Sequence, residues 1–411
     1  MLVNGKRELA YIVQIDTIEP IVGSDNCEAA VVGGWKIMTK KGTFIPGDYA
    51  VYFEIDSQVP QQEPYMFLAK KHFKVKTQKY TFGGKGNFVS QGLLMSFEDF
   101  GDAAWVLSTK KRIAEGKDVL HEGLTEVLGV IYADAADNKR KGASIDKYKA
   151  MAQRRPEIFK QAWARWMMRR EWGKKLMFFF FGKKKDTKKQ WPFWVVKTDE
   201  ERCQNLPHYF PGDPGEVWIV TEKIDGTSTT FTMKRGKKNK RDFYICSRNV
   251  VFDKPDKKCF YDTNVYVEMA EKYPIEKCLN DILDRFPNLD FVTIQGETYG
   301  EGIQKRDYHM KEHCFMAFNF IMGMIDENGK IYSNRLNPVE LQTVMLHHGI
   351  PSVPVICKHY IIPHTCEELL QFAGGESAID GGMREGIVLR TWDGKRSFKA
   401  VDNEFLLKYH S

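Results

Sequence analysis

The sequence predicts a multidomain α+β protein, and three observations support this. Short apolar runs alternate with turn residues through the first 110 positions, the pattern of a small β-barrel. Aromatic residues then recur at near-helical spacing among lysines and arginines in residues 111–189, which suits an amphipathic basic helix. From residue 190 onward, apolar strand segments stand beside glycines and charged residues in a repeated arrangement. A chain of 411 residues that is 43% hydrophobic has room for two or three packed cores.

In the first region, Tyr11 to Ile15, Ala29 to Val32, Tyr49 to Ile55 and Phe73 to Val75 read as strands. Turn signals separate them at Gly23-Ser24-Asp25, Gly33-Gly34, Pro46-Gly47-Asp48 and Gly83-Gly84. An OB-type barrel is the natural closure, and its face and loops often bind oligonucleotides; SH3-like and other barrels fit the composition equally well.

The formal charge of +7 has a concentrated source. Residues 139–189 hold 18 Lys and Arg against four acids, a local net of +14, so the rest of the chain is near −7. Such a block favours a polyanionic partner. Within it Ile158-Phe159, Ala162-Trp163, Trp166-Met167 and Trp172 form an aromatic stripe. The stripe reads as docked core, with an opposite basic face able to follow an RNA backbone. A membrane-surface helix ending in Phe178 to Phe181 is a further reading.

No leader-like hydrophobic stretch precedes Tyr11-Ile12-Val13, and no apolar run reaches the length of a membrane span. Eight scattered cysteines without Cys-x-x-Cys pairs suit a cytoplasmic or other reducing compartment. Cys357, His359, His364 and Cys366 could supply zinc ligands, but neither pair has the usual spacing, and reduced cysteines beside a hairpin are the simpler reading.

The chemistry centres on Thr221-Glu222-Lys223-Ile224-Asp225-Gly226, delivered by the strand Val217 to Val220. A lysine in a Lys-x-Asp-Gly run can be a covalent nucleophile, with Gly226 allowing a tight turn behind it. Alone, the same run also fits a salt-bridged lysine on a hairpin. Context adds Ser247-Arg248-Asn249, Gln295-Gly296-Glu297 after the apolar strand Phe291 to Ile294, and Phe315 to Asn319. Arg384-Glu385-Gly386-Ile387-Val388-Leu389-Arg390 and Ser397-Phe398-Lys399 follow near the end.

In that order these segments resemble motifs I, Ia, III, IIIa, IV and V of the covalent nucleotidyltransferases, which include DNA ligases, RNA ligases and capping enzymes. The residue types suit the reaction. A lysine attacking the α-phosphate of a nucleotide must lose its proton, although its free pKa is about 10.4, so burial or a nearby cation must disfavour the ammonium. Glu297 and Glu385 are candidate ligands for a divalent cation such as Mg²⁺ or Mn²⁺, or for ribose hydroxyls. Arg248, Arg390 and Lys399 could neutralise phosphate charge during in-line displacement. The Phe315 to Phe318 strand offers an aromatic face for adenine.

A closer resemblance lies in Phe44-x-Pro46-Gly47-Asp48-x-x-Val51-Tyr52-Phe53-Glu54-Ile55-Asp56-Ser57, His72 to Thr77 and Ser90-Gln91-Gly92-Leu93. These look like the amino-terminal OB module of Deinococcus-type and Naegleria-type RNA ligases, as does Lys197 to Leu206 on the approach to Lys223. Most capping enzymes and DNA ligases place that module after motif V. The resemblance implies three domains: an OB fold in 1–110, a basic and mainly helical insert in 111–189, and an adenylyltransferase domain of antiparallel sheets with flanking helices, of the ATP-grasp-like ligase kind, in 190–411.

The resemblance further implies an ATP-dependent RNA ligase. Lys223 would carry AMP covalently, Glu297 and Glu385 would bind ribose and metal, and Arg248 would contact nucleotide or RNA phosphate. Thr221, Glu222 and Ile224 would line the nucleotide site with Glu222 helping to seat the base, Phe318 would stack on adenine, and Lys399 would hold the α-phosphate. Related enzymes often have two motif V lysines where this chain has Ser397 and Lys399. The implied substrate is RNA with 3′-hydroxyl and 5′-phosphate ends, duplex or nicked, joined by a monomer in RNA repair. DNA joining, mRNA capping and a non-catalytic RNA-binding role are the alternatives.

Overall fold

A computed structural model describes the chain except residues 4–5, 83–86, 134–157, 159–160, 182–190, 198, 237–239, 253–263 and 411. The turn expected at Gly83-Gly84 and much of the basic block lie outside the described residues. Two compact units emerge: residues 1–130 together with 190–411, and residues 131–189. The boundary expected at residue 110 therefore falls inside the first unit. The reason is backbone pairing, since Leu124 donates its N–H to the Ala10 carbonyl at 2.7 Å and Thr125 Oγ1 accepts from Leu9 at 2.8 Å.

The amino-terminal module has two three-stranded sheets. One places β1 (Ala10–Gln14) and β6 (Leu93–Ser96) on either side of β5 (Tyr49–Phe53). The other runs β2 (Thr17–Pro20), β3 (Cys27–Val32), β4 (Trp35–Lys40). Alternation along these strands sends Tyr11, Val13, Ala30, Val32, Trp35, Ile37, Ala50 and Tyr52 into one core. Phe73 to Val75, expected as a strand, instead forms a turn in which His72 and Phe73 have φ of 53° and 60°. That left-handed backbone does not fit a β ladder, and only Lys74 makes a bridge there, to Gln58. Helix α1 (Ala104–Ala114) follows.

In the second unit, α2 (Ala162–Met168) and α3 (Glu171–Phe181) are described. A Cβ on Gly173 would stand 2.2 Å from the Met167 carbonyl oxygen, so a residue without a side chain lets the two helices meet closely.

The carboxy-terminal region is built on two sheets. The larger has the order β11 (Val251–Phe252), β10 (Arg241–Cys246), β9 (Thr227–Arg235), β12 (Phe291–Tyr299), β13 (Cys314–Ile325), β14 (Ile331–Arg335), antiparallel throughout. The smaller has the order β7 (Glu201–Arg202), β17 (Ser397–Val401), β16 (Gly386–Thr391), β8 (Trp218–Lys223), β15 (Val355–Tyr360). Its β7–β17 pair is parallel, an exception to the antiparallel sheets expected.

Three helices cover the larger sheet: α4 (Val265–Lys272), α5 (Ile275–Arg285) and α6 (Pro338–His347). On α5 the apolar Ile275, Cys278, Leu279, Ile282 and Leu283 fall on one face, the spacing that buries a helix against a sheet. Helix α7 (Cys366–Ala373) covers the smaller sheet through Leu369 and Ala373. Among the described residues no helix is long and apolar enough to cross a membrane.

Buried polar contacts join the amino-terminal module to the carboxy-terminal region. Glu54 at the end of β5 accepts from Arg7 at 3.0 Å, Tyr11 at 3.3 Å and Asn205 Nδ2 at 3.1 Å. Asn205 Oδ1 in turn accepts from Trp35 Nε1 at 2.6 Å, and Gly34 N–H donates to the Gln204 carbonyl at 2.8 Å. Burial alone would raise the Glu54 carboxyl, but Arg7 and the neighbouring Met1 amine outweigh it and hold the group below the ordinary glutamate value. Its stabilising effect is therefore complete above the ordinary pKa of about 4.3 and is lost as pH falls through the lower folded-state value.

Replacing Glu54 by Ala removes the nearest carboxylate from the Arg7 guanidinium, which keeps Glu201 at 3.5 Å and Asp199 at 3.8 Å, a change expected to cost about 1–3 kcal/mol. Urea denaturation at pH 7 is expected to show that loss, and the difference between Glu54→Ala and wild type should shrink as pH falls below about 4.

Candidate active site

Strand β8 delivers Lys223. Its register with β16 sets Lys223 opposite Gly386 and Glu222 opposite Ile387, so Glu385, just before β16, lies within reach of the lysine. The Lys223 Nζ donates to both carboxylate oxygens of Glu385, at 2.7 and 2.6 Å. Strand β12 supplies the third member. Along it Val292 and Ile294 enter the core, so the alternate positions Thr293, Gln295 and Glu297 belong to the opposite face.

Burial pushes the Lys223 ammonium down, yet Glu385 and Glu297 outweigh burial and hold its pKa above the ordinary lysine value. Burial pushes the Glu297 carboxyl up to about 8, against the pull of Lys223 and with added repulsion from Glu385. The Glu385 carboxyl is raised as well, first by burial. Burial is therefore not sufficient to deprotonate this lysine. Two carboxylates raised by burial, with further repulsion from Asp225 on both, fit a divalent cation, which commonly takes one or two carboxylates and completes its shell with phosphates and waters. No cluster of three or more His, Cys, Asp or Glu suited to a metal occurs among the described residues.

Gly226 has a different purpose from the tight turn expected of it. A Cβ there would lie 2.4 Å from the Thr298 carbonyl oxygen and 2.9 Å from Glu297 Cγ. Glycine thus permits the closing approach of the segment after Lys223 to the strand that bears Glu297.

A second cluster surrounds Asp199. Its carboxylate accepts from Lys399 Nζ at 3.2 Å and from Arg248 Nη2 at 3.1 Å, and Arg7 Nη1 stands 3.8 Å away. Burial pushes Lys399 down to about 8, partly opposed by Asp199. Two of the three expected phosphate-neutralising cations are thus brought together on one carboxylate, which occupies them as a phosphate oxygen would.

Ile224 and Phe318 share an apolar patch with Tyr299, Tyr308 and Val353. Phe318 is the extra residue of a bulge, because Gln295 pairs with Asn319 while Gly296 pairs with Ala317; such a bulge re-aims a side chain. Phe315, its companion in the expected aromatic face, is buried in the helix-covered core instead.

Other expectations change. Glu222 faces away from Lys223 by strand alternation, and its carboxylate is held by Ser377 Oγ at 2.5 Å and Ala378 N–H at 2.8 Å, so it anchors a loop instead of offering a free group to a base. Thr221 Oγ1 donates to the Val388 carbonyl at 3.3 Å, tying β8 to β16. Arg390 is buried, donating to the Phe318 carbonyl at 3.0 Å and to Glu200 at 3.2 Å, which makes it a brace for the bulge. Cys366 lies 3.6 Å from Cys203, sulfur to sulfur, while Cys357 and His359 lie on β15.

Sequence reasoning missed three residues. Tyr308, with φ of 55°, places its hydroxyl 2.7 Å from the Asp225 N–H, which donates to it. His410 Nε2 stands 3.4 Å from Asp225 Oδ1. Arg202 is buried, 3.5 Å from Asp56, and among the described residues its Nε and Nη1 have no hydrogen-bond partner. Arg202 stood in a quoted run, but nothing in that run signalled that folding would set it beside Lys399.

The profile of the RNA ligase family matches residues 216–410, and that of an OB-fold domain matches residues 9–96. Among solved structures, an apo variant of Naegleria gruberi RNA ligase is 24% identical, with a TM-score of 0.67 over 98% of this chain and 99% of that one. A variant of the same enzyme with ATP and Mn is 25% identical, with a TM-score of 0.65 over 98% and 100% of the two chains. The form with PPi is 24% identical, with a TM-score of 0.65 over 98% and 99%. These neighbours share the fold along nearly the whole chain. No curated protein sequence matches it.

Gly226→Ala is expected to lower stability by about 1–3 kcal/mol in urea denaturation, the usual cost of overpacking. Gly215→Ala, where the nearest contact to a Cβ is a side-chain oxygen at 3.3 Å, should cost less.

Proposed function

Since residues 216–410 are a ligase domain of the RNA ligase family behind an OB-fold domain, we propose that this enzyme is an ATP-dependent RNA ligase that works through lysyl-AMP. One observation carries the reading: the lysine of the Lys-x-Asp-Gly run lies 2.6 Å from Glu385 and within the field of Glu297. ATP and a divalent metal are the cofactors, as in the Naegleria structure determined with ATP and Mn.

In the first step the Lys223 nitrogen attacks the α-phosphorus of ATP. A P–N bond forms, the bond to the β-phosphate oxygen breaks, and pyrophosphate leaves. AMP then passes to an RNA 5′-phosphate, freeing Lys223, and a 3′-hydroxyl finally displaces AMP to make the phosphodiester. Covalent catalysis divides one difficult displacement into easier ones. Glu297 and Glu385 would hold a divalent cation, whose positive charge beside Lys223 would favour the neutral amine.

The chain's own groups position the rest. Lys399 and Arg248, which converge on Asp199, exchange that carboxylate for phosphate oxygens. Arg202, buried with unpaired nitrogens, adds a third cation for the polyphosphate. Phe318 and Ile224 form the apolar wall for adenine. The OB-fold domain holds RNA by backbone and 2′-hydroxyl contacts. The substrate is RNA with 3′-hydroxyl and 5′-phosphate ends at a nick in a duplex, and the role is RNA repair by a monomer.

With Mg²⁺ and α-labelled ATP, wild type is expected to retain label on denaturing gels and Lys223→Ala to lose it. Pyrophosphate pretreatment should first remove any bound AMP. Label from GTP in place of ATP would replace this reading with capping. Glu297→Gln and Glu385→Gln are expected to slow labelling by at least a hundredfold, a scale typical for removing one electrostatic contact to a reacting phosphate. Sealing of nicked RNA over nicked DNA, followed with 5′-labelled strands, tests the substrate.

A further inference from the structure

The second unit shows a surface that the catalytic reading does not use. Trp163, Trp166 and Trp172 are 48%, 49% and 54% exposed. The expectation that this aromatic stripe is docked core is therefore corrected: among the described residues of α2 and α3, the small Ala164 and Gly173 and the flexible Met177 are the buried ones. Side chains of Phe178 to Phe181 lie outside the described residues. Indoles are costly to leave in water, and three on one short helix pair form a surface that calls for a partner.

The same helices define that partner's charge. Arg165, Arg169 and Arg170 are exposed, and no acid among the described residues pairs with them. They sit in the segment 139–189, whose net charge of +14 exceeds the +7 of the whole chain. Arg170 lies flat enough on Trp166 to bring its guanidinium carbon 3.9 Å from the ring centroid, and Trp172 meets Trp166 edge-on at 6.1 Å. One indole thus already supports a planar group on its face.

We propose that this insert is a second RNA-binding site, which takes single-stranded RNA by stacking bases on Trp163, Trp166 and Trp172 while Arg165, Arg169 and Arg170 neutralise phosphates. Exposed aromatics interleaved with cations are the combination that binds single strands with little regard for sequence. A lipid surface fits less well, since it requires one continuous apolar face, whereas among the described residues the exposed Arg165, Arg169 and Arg170 stand among the indoles. The inference rests on the ligase reading for its choice of RNA as polyanion. It assigns the insert to substrate capture and not to chemistry.

The test uses the full chain, fluorescence anisotropy with a labelled single-stranded RNA, and a salt titration. Combining Trp163→Ala, Trp166→Ala and Trp172→Ala is expected to weaken binding at least tenfold, the minimum for losing one or more stacked bases. Combining Arg165→Gln, Arg169→Gln and Arg170→Gln, which keeps the indoles, should reduce the slope of log affinity against log salt by about 2. Labelling of Lys223 by ATP without RNA should match wild type in both. Unchanged affinity and slope would overturn the proposal. So would binding to phosphatidylserine vesicles that the tryptophan changes abolish while RNA affinity stays intact. Should the tryptophan variant also lose ATP labelling, the arginine variant decides. If wild type itself forms no lysyl-AMP while the insert variants lose RNA binding, the ligase reading fails and the insert site stands.

Discussion

An ammonium held between two carboxylates in a sheltered cleft is the constraint on which the site depends. Charge of either sign in such a place must be compensated. Lys223 meets Glu385 at 2.6 Å, and Glu297 adds to the field that keeps the proton on. The three come from two different sheets, so both sheets must hold their registers for the charges to meet. A slip of one residue in β8 against β16 would turn Lys223 toward the face where Trp218 and Val220 pack. The closing of Gly226 onto β12, which no larger residue permits without movement, fixes the distance between the sheets at that point.

The same rule explains the second cluster. Lys399, Arg248 and Arg7 are gathered on Asp199, so their positive charge is compensated by a carboxylate within the fold. Arg7 also meets Glu54, the acid that links the amino-terminal module to Asn205. One arginine therefore connects the domain junction with the cations of the site. This gives the early OB-fold module a mechanical link to the chemistry, through side chains that are mostly buried and paired.

The grouping of Lys223, Glu297 and Glu385 could be anticipated from the chain because their signals are local. Lys-x-Asp-Gly, the glutamate after an apolar strand and the glutamate before Gly-Ile-Val-Leu each carry their meaning in a few consecutive residues. Strand alternation then decides which side chains can meet. What could not be read was whatever depended on a neighbour distant in sequence. Arg390 resembled a phosphate ligand until folding placed Glu200 and the Phe318 carbonyl against it. Glu222 resembled a base-contacting residue until the loop at Ser377 folded onto it. Phe73 to Val75 had strand composition, but a left-handed turn overrode it, and the tryptophans of the insert had core composition but stand about half exposed.

By itself the sequence indicated the order of an OB-fold module before a ligase domain, a lysine carried at the end of a strand, two candidate carboxylates and the concentration of positive charge in residues 139–189, since these reside in composition, spacing and period. Tertiary structure alone decided that the Lys223 pKa is held up by its carboxylates, that Asp199 gathers Lys399 and Arg248, that Arg202 is buried beside Lys399, and that three tryptophans remain at the surface. Each of these is a balance between burial and a partner. A linear chain specifies the groups but not the distances between them, and both charge and burial depend on distance.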